Sequence, residues 1–227
     1  MIGGKTVSVC LVTYRRLDTI AEVIEGWLRQ PIEEVILADC SRGELKWEDM
    51  PDDQRLTIVS FSQDKGNRTR HALALLTVGD VVVMADDDVM PHPGFVGELY
   101  RGYEQVGSKG IVGIIGRNFR GNRYYKDASF YKASSIMEPK RTEFVGVAYL
   151  CGRELLAYDM RYMENPVNDL FWCWVAFPKV PKHVVPAKAY ANLPTSSDGG
   201  CLFHDKKARI VREAFFGKYR PKKGMSQ

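Results

Sequence analysis

The feature that most limits what this chain can fold into is an alternation through residues 6–115. Short, β-branched apolar runs take turns with segments of helical period. Residues 6–13, 34–38, 56–60 and 80–85 are apolar stretches of strand length, and such near-continuous runs mark strands covered on both faces. Between the first two, residues 18–30 carry Ile20, Val23, Ile24, Trp27 and Leu28 at helical spacing, with Asp18 placed to cap the helix and Pro31 to stop it. Residues 67–77 and 93–106 read as further helices and 109–115 as another strand. Strands and helices in this order form βαβ units, so the expected class is α/β, with a Rossmann-like, mainly parallel sheet and flanking helices. Beyond residue 115 the pattern loosens. Residues 117–133 read as a basic, aromatic loop, 143–150 as a strand and 168–176 as an aromatic-rich helix. A short strand is expected at Val184-Val185 and a helix over 205–216.

The run ending at Ala85 is followed directly by Asp86-Asp87-Asp88. A buried parallel strand delivers such residues to the carboxyl edge of its sheet, where open α/β proteins bind ligands. Three adjacent carboxylates repel one another and call for a cation or strong donors. Hard divalent ions, Mn²⁺ or Mg²⁺, take oxygen ligands and bridge to substrate phosphates.

Composition sets outer bounds. The 227 residues suit one α/β domain, with residues 1–115 as a ligand-binding half and 116–227 as a second half ending in a basic tail. No run approaches the ~18 apolar residues of a transmembrane helix, and the first residues lack the layout of a secretory leader. Five scattered cysteines without a CxxC pair point to reduced thiols, hence a cytoplasmic protein, and away from structural zinc. The net charge of +4 conceals an asymmetry: 22 Lys+Arg against 11 Asp+Glu from Arg101 onward, but 10 against 17 before it. An anionic partner for the second half is the natural reading.

Several segments together resemble the nucleotide-sugar-dependent glycosyltransferases of the GT-A fold, in particular the family-2 and exostosin-like groups. They are Val9-Cys-Leu-Val-Thr-Tyr-Arg15, Val35-Ile-Leu-Ala-Asp39 with Ser41, Asp64-Lys-Gly-Asn-Arg-Thr-Arg70, Gly79-Asp80 leading into Met84-Ala-Asp-Asp-Asp-Val89, and Asn168-Asp169. The resemblance covers 6–115 well and 140–178 loosely. It implies a metal-dependent transfer of a hexosyl or pentosyl group from a nucleotide-sugar, expected to be UDP-linked, to an acceptor hydroxyl. By this likeness Asp86 and Asp88 form the D-x-D motif, with Asp88 the direct metal ligand, Asp86 nearer the ribose and Asp87 beside the donor. Thr13, Tyr14 and Arg15 fall where the family holds base and ribose, and Asp39 where a carboxylate meets the nucleobase. Asn67 and Arg70 open a helix whose N-terminus favours phosphate. Asp169 stands at the place of a general base, although Asn168 departs from the usual acidic partner and leaves inverting and retaining chemistry both open. His204 stands where many members supply a third metal ligand from a closing tail.

The second half adds Arg117, Arg120, Arg123, Lys126 and Lys132, interleaved with Phe119, Tyr124, Tyr125, Phe130 and Tyr131. Cations that follow phosphates and rings that stack on bases are the ingredients of nucleic-acid recognition, and Arg117, Arg120, Arg123, Tyr124 and Tyr125 form the candidate acceptor site. The expected acceptor is therefore a hydroxylated base in DNA. A saccharide or phosphorylated glycan is the alternative, since aromatics also stack on sugar rings. Two rivals stand outside this reading. A nucleotidyltransferase would want a glycine-rich phosphate loop where the chain has Thr13-Tyr-Arg-Arg-Leu17, and a nucleic-acid-binding protein would carry the aspartates as a vestige.

Overall fold

The apolar runs of the first half become β1 (Val7–Thr13), β2 (Glu34–Asp39), β3 (Leu56–Ser60) and β4 (Val81–Asp86), joined through α1 (Leu17–Leu28) and α2 (Arg68–Leu73). This computed structural model describes residues 1–121, 123–156, 168–193 and 206–219, the first two residues of the third segment by backbone alone. The first four strands lie parallel in the order β3-β2-β1-β4. Alternate residues of β1 explain its unbroken apolar character. Val7, Val9 and Leu11 pack with Ile20, Ile24 and Trp27 of α1 in one core cluster, while Cys10 and Val12 join a second cluster. Both faces are covered, so both registers must be apolar.

After β4 come β5 (Val89–Pro91), α3 (Phe95–Gln105), β6 (Ile111–Phe119), β7 (Ala128–Lys132), β8 (Lys140–Arg141) and β9 (Phe144–Gly152). The remainder is α4 (Asn168–Phe171), β10 (Lys182–Val184), β11 (Tyr190–Asn192) and α5 (Lys206–Tyr219). The α/β class and the parallel first half match expectation; the sheet as a whole is mixed. Strand β9 runs antiparallel between β4 and β6, and β7 folds back on β6. Residues 117–133 are thus not one loop, because β6 runs on to Phe119 and β7 pairs with its end. The helix expected over 168–176 is a single α-turn that continues as a π-helical turn over Trp172–Ala176, with the Phe177 N–H reaching the Trp172 carbonyl.

Two local features place the aspartates. Gly79 lies so close to β1 that a side chain there would meet the Ser8 backbone nitrogen at 2.6 Å. Asp80 accepts hydrogen bonds from the Thr6 N–H and hydroxyl, both 3.0 Å. The Gly-Asp pair is thus a staple that sets β4 beside β1. On the other side the β4–β9 ladder ends at Ala85–Ala148. The next residue of β9, Val147, has φ +71°, a left-handed conformation that a β-branched side chain rarely adopts. The β6–β9 register shifts at the same place, and Asp86 at the end of β4 pairs with Val12 of β1 alone while its β9 side stays open; bulges of this kind recur beside functional sites.

Candidate functional site

The carboxyl edge of the parallel strands gathers Thr13 from β1, Asp39 from β2, and Asp86 with the following Asp87 and Asp88 from β4. Each aspartate has a different surrounding. Asp86 is paired with Arg70 of α2, whose side chain is fully buried and whose guanidinium lies 5.6 Å from the Tyr149 ring centroid. Asp87 is 6% exposed and holds two partners: Arg16 on one oxygen, and the Thr13 hydroxyl at 3.0 Å on the other. Asp88 meets the second arm of Arg16 at 3.2 Å, and its backbone carbonyl accepts from the Leu193 N–H at 2.8 Å. Arg16 therefore bridges two of the three carboxylates.

These surroundings shift Asp87 and Asp88 upward. Burial pushes the Asp88 carboxyl up to about 7, the charge of Asp86 adds to this, and Arg16 only partly opposes it. Burial likewise raises Asp87 despite Arg16. Burial works against the charge of Arg16, but Asp87 and Asp88 outweigh it and raise its pKa. A carboxylate held up by a like-charged neighbour is one that an added cation would relieve. Among the described residues no cluster of three or more His, Cys, Asp or Glu forms a closed cage for a metal. Two oxygen-donor carboxylates nevertheless suit Mg²⁺ or Mn²⁺, which commonly take one or two carboxylates and complete their shell with phosphate and water. Asp86 and Asp88 fit that demand.

The remaining sequence candidates fall as follows. Tyr14 lies beneath Arg15, 4.9 Å from its ring centroid, with Arg42 at 5.9 Å; Arg15 itself is exposed. Asp39 is 1% exposed and already occupied, accepting from the Ser41 N–H at 2.9 Å and the Ser60 hydroxyl at 2.8 Å. Asn67 caps α2 by position, without a side-chain hydrogen bond to the helix. Asp169 is the second residue of α4, known by backbone only, and His204 lies outside the described residues. Two residues carry more than the sequence reading allowed. Arg16, the neighbour of the expected Arg15, joins Asp87 to Asp88. His71 is fully buried, hydrogen-bonded to the Tyr149 hydroxyl and tilted against Trp172 with ring centroids 5.0 Å apart, and burial lowers its pKa well below the usual value.

The candidate acceptor residues separate into two groups. The β4–β9–β6 registers bring the end of β6 to the same sheet edge as the aspartates. There Tyr124 is only 4% exposed, with Phe119 stacked on it at 5.4 Å and Phe144 and Phe216 at its edges. Arg117 lies 4.8 Å from the Tyr124 centroid. Tyr124 is thus packed inward, a correction to its expected place on an open stacking surface. Tyr125 is half-buried beside Arg209, 4.8 Å from its centroid, in a groove of about 630 Å³ shared with Lys206, Ile210 and Glu213. Arg120 and Arg123 are exposed, and Arg123 pairs with Asp127.

Comparison with known proteins agrees with this architecture. Residues 8–156 match the model of glycosyl transferase family 2, and the chain belongs to that family. One relative, the uncharacterized glycosyltransferase YwdF of Bacillus subtilis (strain 168), is 23% identical over 180 residues, which cover 74% of this chain and 65% of the relative. The chain therefore spans slightly less than two thirds of that relative's length. Among the described residues no helix is long and apolar enough to cross a membrane.

Proposed function

We propose that the chain transfers a sugar from a nucleoside diphosphate sugar to a hydroxyl of an anionic glycan. The observation that carries this reading is the aspartate triplet at the carboxyl edge of β4, with Asp87 and Asp88 bridged by Arg16 and Asp86 paired with Arg70, in a chain of glycosyl transferase family 2. Asp86 and Asp88 would hold Mn²⁺ or Mg²⁺, which supplies positive charge to a departing diphosphate. Arg16 and Arg70 add fixed cationic charge at the same edge, where pre-placed charge acts without reorganisation. Thr13, Tyr14 and Asp39 would frame the nucleoside at the ends of β1 and β2. Asp169, on the short helix against β9, is the proposed base for the acceptor proton.

For the acceptor, the groove of Tyr125, Lys206 and Arg209 offers one half-buried ring beside two cations. That composition suits a phosphorylated or carboxylated sugar: the ring stacks on its apolar face and the cations meet its charge. Base stacking on DNA has weaker support, because Tyr124 is turned inward.

The test is turnover of a panel of nucleotide-sugars with Mn²⁺, alone and with phosphorylated oligosaccharides or hydroxylated DNA. Release of the nucleoside diphosphate, stimulated by the oligosaccharide and abolished in Asp88→Asn, is expected. Failure to bind or turn over any nucleotide-sugar would overturn the transferase reading. Stimulation by DNA alone would replace the acceptor.

A further inference from the structure

Arg16 stands out because it holds an unusual position between two carboxylates that differ in how firmly they are engaged. It leaves the end of β1 as the residue capping α1, with φ −97° and ψ 50°. Its side chain is 17% exposed, and its Nε is buried without a hydrogen-bond partner. One arm is anchored on Asp87, whose other oxygen is fixed by Thr13. The second arm reaches Asp88 at 3.2 Å, the looser of the two contacts. A guanidinium is a planar, permanently charged fork, so it can release one acid while staying on the other.

From this we infer that Arg16 is an internal counter-ion that competes with the divalent cation for Asp88 and releases it when the donor's diphosphate arrives. The inference rests on the proposed metal–donor site and deepens it by giving that site an order of events. In the free protein Arg16 neutralises Asp88, so cation affinity is weak. When a diphosphate is present, the second arm of Arg16 turns from Asp88 to a phosphate oxygen, a comparable charge-assisted partner. Asp88 is then open to the cation. Asp87 never enters the exchange; it holds Arg16 in reach, which accounts for a buried middle aspartate that ligates nothing.

The discriminating measurement is Mn²⁺ affinity of the free protein, by calorimetry or by the electron paramagnetic resonance of unbound Mn²⁺. The wild type, Arg16→Gln, Arg16→Lys and Asp88→Asn are each measured without nucleotide and with UDP. Without nucleotide, Arg16→Gln should bind Mn²⁺ about tenfold more tightly than wild type, which corresponds to roughly 1.4 kcal/mol of removed competition. Arg16→Lys keeps the charge but lacks the fork, so it should tighten by about threefold. UDP should strengthen Mn²⁺ binding in wild type and much less in Arg16→Gln. A merely structural Arg16 would give the opposite sign, since loosening the site weakens a ligand. Unchanged or weaker Mn²⁺ binding in both folded variants overturns the inference alone. If Arg16→Gln does not unfold cooperatively, the Arg16→Lys result decides. Equal Mn²⁺ binding by wild type and Asp88→Asn in the presence of UDP overturns the metal site itself and the inference with it.

Discussion

At one edge of the sheet, arginines and a tyrosine are arranged in two contrasting ways. Beside the aspartates, Arg70 is wholly buried over Tyr149 and Arg16 is partly buried, and both cations face carboxylates. At the end of β6, Arg117 lies over Tyr124, but the surrounding Arg120 and Arg123 are exposed and the aromatic rings form the buried layer. In the first region charge is inside and determines the site's shape. In the second, apolar area holds the structure and charge is left for solvent or a ligand. The family match ends at residue 156, so it covers the first region and the strands of the second but not α5, which completes the aromatic layer through Phe216.

The difference predicts unequal responses to substitution. Asp86→Ala removes a carboxylate paired with the fully buried Arg70, so it should destabilise by about 3–5 kcal/mol as well as abolish turnover. Urea denaturation checks it, and a loss below about 1 kcal/mol would show that Arg70 is hydrated after all. Tyr124→Ala should cost about 3 kcal/mol through the cavity left among Phe119, Phe144 and Phe216. Were Tyr124 instead a ligand platform, acceptor KM would rise while the melting temperature held.

His71, directly behind Arg70, introduces a pH dependence. Its folded pKa lies below the ordinary value near 6.5, so the unfolded chain binds the extra proton. This contribution to stability is intact above about pH 6.5 and falls as the pH drops below it, by up to about 1.4 kcal/mol per pH unit. Chemical denaturation between pH 7.5 and 5 measures the slope, and His71→Gln should flatten it. The smallest effect is expected at the exposed end of the other region. Arg120→Gln should change stability by less than about 0.5 kcal/mol, yet reduce the salt dependence of anionic acceptor binding. An unaltered salt slope would remove Arg120 from the acceptor surface.

Site legibility followed the same division. The place of Asp86–Asp88 could be read because strand length and apolar continuity are local properties of residues 80–85. Arg15 and Arg16 could not be told apart, since adjacent residues leaving a strand point in different directions and only the turn into α1 decides which one faces inward. The resemblance set Asp87 beside the donor; that Thr13 and Arg16 engage both its oxygens is visible only in the folded chain. Tyr124 and Tyr125 are equivalent in sequence, yet the first is core and the second lines a groove.

By itself the sequence determined the α/β class, the parallel β1–β4 half, and the delivery of three carboxylates to the carboxyl edge of the sheet. These follow from periodicities that span a few residues. Only the tertiary structure decided that β9 would enter antiparallel beside β4, that Arg16 would be the residue spanning the aspartates, and that Tyr124 would be buried. Those outcomes depend on pairs far apart in the chain: Arg16 with Asp87 across 71 positions, Thr13 with Asp87 across 74, and the Tyr124 N–H with Glu213 across 89. Local propensity carries no information about such partners. Burial selects them once the sheet has brought them within reach, because a charge or ring that finds its partner there avoids the desolvation cost of lacking one.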